Sequence, residues 1–188
     1  MIDSKKKSVM NFITRERVYR FSNECSESAL AKFLYSYFPK RVVDSILASF
    51  EVRIDTRCCY KGYYATVLVF KSKDGKIRDV KMTLFNPDTG MIVRDGDGDA
   101  LIQHTQKQNS HVEYESWPWG DKSYSLAKEL SKGYDLKKQP TLFGMQKINR
   151  AKRIGVVTSA VDAVVMSIID PHCTWLATGH EGKFGVAL

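Results

Sequence analysis

Two short polar clusters, each placed directly after an apolar run, are the residues of this sequence best positioned to do chemistry. Thr158 and Ser159 follow the first run, Thr178 follows the second, and Asp162 lies just beyond the first cluster. A hydroxyl group cannot supply the charge that acid–base or metal catalysis requires. One carboxylate is also a poor magnesium site. The residue types therefore argue against metal-dependent catalysis at these positions.

The apolar runs themselves predict the elements that would position these side chains. Residues 154–157 and 173–177 are short runs without polar alternation, as is typical of strands buried on both faces. Between them, Ser159 can cap an apolar helix that ends at Asp170-Pro171. Strand, helix and strand with short connections form a βαβ unit with parallel strands. In open α/β sheets, chemistry takes place at the carboxyl ends of the strands, where Thr158 and Thr178 lie.

The segment from Val156 to Asp162 resembles the first motif of toprim domains, which occur in bacterial replicative primases, topoisomerases and some nucleases. In that motif a catalytic Glu follows two apolar residues, and Thr158 stands at its position here, while Asp162 matches the later polar position. The segment from Trp175 to Gly179 is similar to the next strand and turn of the family. The Asp-x-Asp metal pair of the family does not follow in this sequence. The resemblance implies a degenerate, shortened toprim-like lobe with no catalytic residues, metal or cofactor.

Upstream, the sequence predicts a pair of helices followed by a β-hairpin. Ser26 or Ser28 can open the first helix, and Pro39 lies in the first turn of the second. Residues 63–71 and 76–85 read as strands joined by a Ser-Lys-Asp-Gly turn. Alternation in the second strand predicts an exposed face made of Ile77, Asp79, Lys81, Thr83 and Phe85.

This order of elements resembles the core of bacterial replicative primases, and most nearly the primase-like toprim proteins of bacterial mobile elements. The Leu142-Phe143-Gly144 segment before the βαβ unit is similar to the Leu-Tyr-Gly of that family. The resemblance extends over about residues 26–182. It implies that basic residues of the hairpin line the path of a single-stranded template.

The charge of the chain favours a polyanionic partner. The formal net charge is +8 and the pI is near 9.3. The excess is concentrated in residues 1–20, with six basic and two acidic residues, and in residues 122–153, with nine basic residues against Glu129 and Asp135. Solubility is the alternative explanation. We predict a single-stranded DNA- or RNA-binding face made of Lys71, Arg78, Lys81, Lys147, Arg150, Lys152 and Arg153.

The predicted fold class is α+β, with an antiparallel hairpin sheet and helical hairpin joined to a truncated toprim-like βαβ lobe. We predict a basic N-terminal tail at residues 1–25, in which residues 18–21 form an edge strand. A primase-like module with a long loop follows at 26–120, and a basic connector with the toprim-like lobe at 121–188. The four cysteines include no Cys-x-x-Cys pair, and no membrane span or signal peptide is visible. The expected location is the cytoplasm.

Asp95, Asp97 and Asp99 suggest the opening of a calcium loop. Position six of that loop is Ala100 rather than Gly, and position twelve is Gln106 rather than Glu. We therefore predict a solvated turn and no metal site, although metal binding by these three residues stays open.

The favoured function is non-catalytic binding of nucleic acid, or of a replication or defence complex, by a protein of a mobile element or phage. One alternative is a toprim-type primase or nuclease completed by a partner chain. Another is a protein-binding inhibitor of a host defence or replication complex.

A two-stranded parallel unit is also too small to bury its own apolar surface. We therefore expect cover from the hairpin sheet, from residues 184–188, or from a protein partner or second copy at the open edge.

Overall fold

A computed structural model describes residues 8–93, 101–104, 113–116, 124–125, 130, 134–136, 140–148 and 153–179. The strands are β1 (Ser8–Met10), β2 (Arg53–Tyr60), β3 (Tyr63–Lys71), β4 (Ile77–Thr83), β5 (Leu101–His104), β6 (Glu113–Ser116), β7 (Tyr124–Ser125), β8 (Tyr134–Leu136), β9 (Arg153–Val157) and β10 (Cys173–Ala177). The helices are α1 (Arg15–Val18), α2 (Ala29–Tyr35), α3 (Lys40–Ser49) and α4 (Ala160–Ile169). Short 3-10 turns occur at Cys25–Glu27 and Met145–Lys147.

The fold is α+β, as the sequence predicts. Strands β2, β3 and β4 form an antiparallel sheet, and the short strands extend it in the order β6-β5-β2-β3-β4-β7. The predicted hairpin is β3 and β4. Its turn contains Gly75 at a φ of 77°, a conformation that favours glycine.

The predicted exposed face of β4 is wrong in part, because a bulge interrupts its alternation. The register between β3 and β4 shifts between Phe70 and Lys71. Ile77 consequently lies with Val80 and Met82 in a buried cluster and is 1% exposed. Thr83 and Phe85, which the same pattern placed on the exposed face, are also buried. One extra residue in a strand reverses the side-chain alternation beyond it, which a strictly alternating pattern does not foresee.

Helices α2 and α3 form the predicted helical pair on one face of the sheet. The Ser28 hydroxyl oxygen accepts a hydrogen bond from the Ala31 N–H at 3.1 Å, which is the expected N-cap. The buried stripe comprises Leu30, Leu34, Val43 and Leu47. Among the described residues, no helix is long and apolar enough to span a lipid bilayer.

The N-terminal segment is folded from residue 8 onward, which corrects the prediction of a basic tail to residue 25. Strand β1 pairs in parallel with β8, and Ile13, Val18 and Phe21 are buried in the second core of the sheet. Val18 ends helix α1, and the next two residues form a turn, so residues 18–21 are not the predicted edge strand. Ile13, Val18 and Phe21 are too far apart in the sequence for a helical or strand pattern to predict their burial.

The βαβ unit is present, with β9 beginning one residue before the predicted run of 154–157. The prediction that this strand is buried on both faces is wrong, because Ile154 is 50% exposed. Strands β9 and β10 are parallel, with Arg153 paired to Cys173 and Val157 to Ala177. Ser159 caps α4 by accepting a hydrogen bond from the Val161 N–H at 3.1 Å. Helix α4 packs against α3, and its residues Ala160, Ala163 and Val164 belong to the same buried cluster as the α2–α3 pair. The unit is therefore covered by the rest of the chain on its helical side.

Several predictions concern residues outside the described part of the chain. These are the turn containing Asp95, Asp97 and Asp99, the segment 184–188, and the side chains of Arg150 and Lys152. The predicted boundary between residues 120 and 121 stays a prediction. Strands β7 and β8, on its C-terminal side, pair with β4 and β1 respectively.

Candidate nucleic-acid interface

The carboxyl ends of β9 and β10 lie side by side, as their parallel pairing requires. The Thr178 N–H donates to the Val157 carbonyl at 3.0 Å, and the Gly179 N–H donates to the Thr158 carbonyl at 2.9 Å. The Thr178 hydroxyl lies 3.5 Å from the same Thr158 carbonyl. The first turn of α4 begins directly after Ser159. This edge therefore carries hydroxyl groups and a helix N-terminus, which together favour an anion.

Lys81 of the hairpin reaches this edge from β4. Its Nζ donates to the Gly179 carbonyl at 3.4 Å and lies 5.5 Å from the centroid of the Phe70 ring. Gly179 has a φ of 73°, and a Cβ there would lie 3.2 Å from Phe70 and 3.5 Å from Lys81 Nζ. The backbone at position 179 thus leaves space for the lysine. The hydrogen bond uses one of the three N–H groups of the ammonium, so further donors remain for a ligand.

Three phenylalanines connect this edge to α3, and we call them the phenylalanine column: Phe50, Phe143 and Phe70. Phe50 stacks on Phe143 with ring centroids 4.9 Å apart and planes 5° apart. Phe143 contacts Phe70 in a tilted arrangement at 5.4 Å. The backbone of Phe143 pairs with Ala177 of β10 through two hydrogen bonds of 2.8 and 3.0 Å. The column therefore ties β3, α3 and the βαβ unit together.

Lysines lie at both ends of the phenylalanine column. Lys81 contacts Phe70 at one end. At the other end, Lys147 Nζ lies 3.5 Å from the Phe50 ring centroid and 3.0 Å from the Ser49 hydroxyl oxygen. A cation over an aromatic face is attracted electrostatically by the ring. Two of the predicted binding residues, Lys81 and Lys147, therefore contact opposite ends of the phenylalanine column.

Lys71 does not lie on an exposed basic face, which corrects its predicted placement. Its side chain is 3% exposed, and its ammonium pairs with the Glu51 carboxylate. Glu51 has a φ of 53°, directly after the end of α3. A buried ammonium requires a charged partner, and Glu51 provides one. Lys71 therefore joins β3 to the end of α3.

Arg78 and Arg153 also lie apart from the carboxyl ends of β9 and β10. Arg78 donates to the Asn11 carbonyl at 2.6 Å and to the Ser72 hydroxyl at 3.2 Å, near the hairpin turn. Arg153 opens β9, at the opposite end of that strand from Thr158, and lies 3.4 Å from the Asp170 carboxylate. The described residues thus do not assemble the single basic face that the sequence predicts.

One acidic residue lies on the helix that begins at this edge. Asp162 lies on the first turn of α4 and is exposed. In the described ranges, no group of three or more His, Cys, Asp or Glu side chains could hold a metal ion.

Sequence reasoning did not find the phenylalanine column or the role of Gly179. The three rings are far apart in the sequence, and each has an ordinary apolar context. In the sequence, the Leu142-Phe143-Gly144 segment was the one indication that Phe143 occupies a special position. Gly144 has a φ of 84°, and a Cβ there would lie 2.9 Å from Phe50 and 3.0 Å from the Trp175 carbonyl. A bulkier residue at position 144 would therefore disturb the column.

Comparison with known proteins identifies a family but no characterised relative. A family model described as "Domain of unknown function (DUF6371)" matches residues 28–187. No curated protein and no solved structure matches the chain.

Proposed function

The chain belongs to the DUF6371 family, a domain of unknown function, and we propose from its own residues that it is a non-catalytic nucleic-acid-binding protein. In this proposal it derives from a primase-like toprim protein of a mobile element or phage. It binds a single strand of DNA or RNA, alone or within a replication or defence complex. The phosphate backbone passes the carboxyl ends of β9 and β10 and meets Lys81.

The order of the elements supports a toprim-like origin. A helical pair, a hairpin with an Asp-Gly turn, the Phe143 segment and a βαβ unit follow one another in the chain. The βαβ unit would be the truncated toprim-like lobe, with Thr158 at the position of the catalytic Glu.

The observation that carries the binding proposal is the contact between Lys81 and Gly179. The side chain of a hairpin lysine lies 3.4 Å from the carbonyl at the end of β10. Ligands of open parallel sheets bind outside the carboxyl ends of the strands. A cation delivered to that edge, next to the N-terminus of α4, suits a phosphate group.

The residue types at this edge support binding without catalysis. Thr158 and Ser159 end β9, and Ser159 is already engaged as the cap of α4. Metal-dependent phosphoryl transfer uses carboxylates to hold the metal ions. Among the described residues at the ends of β9 and β10, no carboxylate side chain replaces the missing Glu.

The test is the affinity for a fluorescein-labelled oligothymidylate, measured by anisotropy over a range of salt concentrations. We expect binding that weakens steeply with salt, because phosphate contacts release counterions. Lys81→Gln and Lys147→Gln should each weaken binding and lower the salt slope by about one. Lys32→Gln is the matched control, since Lys32 is an exposed lysine of α2 that loses the same charge.

Equal effects of all three substitutions would mean that the interface has been misplaced. Absence of oligonucleotide binding at low salt would contradict the proposed function and favour a protein-binding inhibitor.

A further inference from the structure

The N-terminal segment and strand β2 enclose a second basic site, separate from the phenylalanine column. Ser22 pairs with Ile54, whose N–H donates to the Ser22 carbonyl at 2.9 Å. Beside this bridge is a cleft of about 170 Å³, lined by residues 20–22 and 54–57. We call it the arginine cleft, after Arg20 and Arg57 in its walls and Arg53 next to it.

A bulge in β2 shapes one wall of the arginine cleft. The register between β2 and β3 shifts between Asp55 and Cys59. Within this bulge, Asp55 accepts hydrogen bonds from the Arg57 N–H at 3.0 Å, from Nε at 2.9 Å and from Nη2 at 2.6 Å. Asp55 is 2% exposed and Arg57 is 51% exposed. A buried carboxylate thus fixes the plane of a guanidinium that faces solvent.

Two further arginines converge on the same segment. The Arg53 guanidinium lies 4.1 Å from the centroid of the Tyr19 ring and donates to the Phe21 carbonyl at 2.8 Å. The guanidiniums of Arg20 and Arg57 lie 5.1 Å and 5.9 Å from the Phe21 ring centroid. Three arginines against one aspartate leave a net charge of +2. The aromatic rings attract these cations electrostatically and replace part of the solvent around them.

We propose that the arginine cleft binds a phosphate of a single-stranded nucleic acid and that Tyr19 stacks on the adjacent unpaired base. The cleft is smaller than the pockets of about 300–1,000 Å³ that enclose whole cofactors, so it suits one small anionic group. Pre-positioned guanidiniums match phosphate in geometry as well as in charge. Tyr19 is 45% exposed beside them, and an exposed ring next to a phosphate site is a stacking platform.

The class of ligand, a single-stranded nucleic acid, rests on the proposed function. The arginine cleft, however, consists of different residues from the interface at the ends of β9 and β10. The two sites can therefore fail separately. If the Lys81 and Lys147 variants bind normally while the cleft variants do not, the proposed interface at the carboxyl ends of β9 and β10 is wrong and the arginine cleft stands. The opposite result overturns the arginine cleft alone.

The experiment uses the full chain and the same labelled oligothymidylate. Arg20→Gln and Tyr19→Leu leave the Asp55–Arg57 pair in place, so they are the primary variants. Each should lower the affinity by about fivefold or more. Arg41→Gln, an exposed arginine of α3, is the charge-matched control and should change the affinity less than twofold.

Arg57→Gln is combined with Asp55→Asn, because an unpaired buried carboxylate would destabilise the fold. This double variant should also bind at least fivefold more weakly than the unaltered protein. Unchanged affinity in Arg20→Gln and Tyr19→Leu would overturn the proposal.

Competition distinguishes a strand from a free nucleotide. Unlabelled oligothymidylate should displace the probe far better than a nucleoside triphosphate at the same phosphate concentration. Equal displacement by the triphosphate would overturn the assignment to a nucleic-acid strand.

Discussion

The rings of Phe50 and Phe143 are stacked with their planes only 5° apart, and they join the end of α3 to the segment that pairs with β10. Their stacking explains why the βαβ unit packs as part of the main body. It also makes Phe143 a position at which one substitution tests the packing of the βαβ unit against α3.

Phe143→Ala should destabilise the protein by about 3–5 kcal/mol, because a fully buried ring leaves a cavity between elements that cannot easily close. Urea unfolding followed by circular dichroism measures this free energy. Phe12→Ala is the control, since Phe12 is 40% exposed and should cost less than about 1 kcal/mol. Similar losses for the two variants would show that the phenylalanine column is not the joint described here.

Gly179→Ala should destabilise the protein more than Gly62→Ala. Both glycines have positive φ, so both substitutions incur the left-handed backbone cost of about 1–2 kcal/mol. A Cβ at Gly62 meets nothing within 4 Å, whereas a Cβ at Gly179 crowds Phe70. The difference between the two losses of unfolding free energy measures the contact between the hairpin and the end of β10. Equal losses would contradict that close approach.

The stability of the protein should fall as the pH rises above about 10, partly through Tyr35. Burial, followed by a hydrogen bond from the Tyr35 hydroxyl to Asp44, raises the pKa of Tyr35. Because folding raises the pKa of Tyr35, the contribution of the protonated tyrosine to the unfolding free energy is complete below the unfolded pKa. This contribution is lost progressively as the pH rises toward the folded pKa. Tyr35→Phe should therefore flatten the alkaline decline in unfolding free energy.

Tyr37→Phe is the control for that measurement, because Tyr37 is 66% exposed. It should leave the alkaline decline unchanged. An identical decline in wild-type protein and Tyr35→Phe would contradict the assignment to Tyr35.

The purified protein should show no magnesium- or manganese-dependent polymerase, nuclease or topoisomerase activity. The expectation follows from Thr158 at the position of the toprim Glu and from the lack of a following Asp-x-Asp. Primer synthesis, oligonucleotide cleavage and plasmid relaxation are the three assays. Metal-dependent turnover that Thr158→Ala or Asp162→Ala abolishes would establish the enzyme alternative.

The elements that sequence analysis predicted correctly are those specified by neighbouring residues. The cap at Ser28, the turn at Gly75 and the βαβ unit with its cap at Ser159 each depend on a few adjacent positions. Local hydrogen bonds and apolar periodicity are sufficient to indicate such elements.

The errors arise where contacts between distant residues override the local pattern. Lys71 looks like a surface residue in a strand, and only the position of Glu51 makes its burial favourable. The bulges in β2 and β4 likewise depend on a partner strand, so the arginine cleft and the burial of Ile77 were not predictable from alternation.

The parallel pairing of β1 with β8 has a consequence for biosynthesis. The contact between the Arg17 guanidinium and the Leu130 carbonyl spans 113 residues, and β1 meets its partner strand just after Leu130. Closing so long a loop is entropically costly and slow. On the ribosome, β1 cannot pair until β8 has left the exit tunnel. Strand β1 is therefore among the last strands to pair. Ile13, Val18 and Phe21 can pack earlier, because most of their buried neighbours lie in β2, β3 and β4, and the Ile13 N–H donates to the Ile77 carbonyl at 2.8 Å.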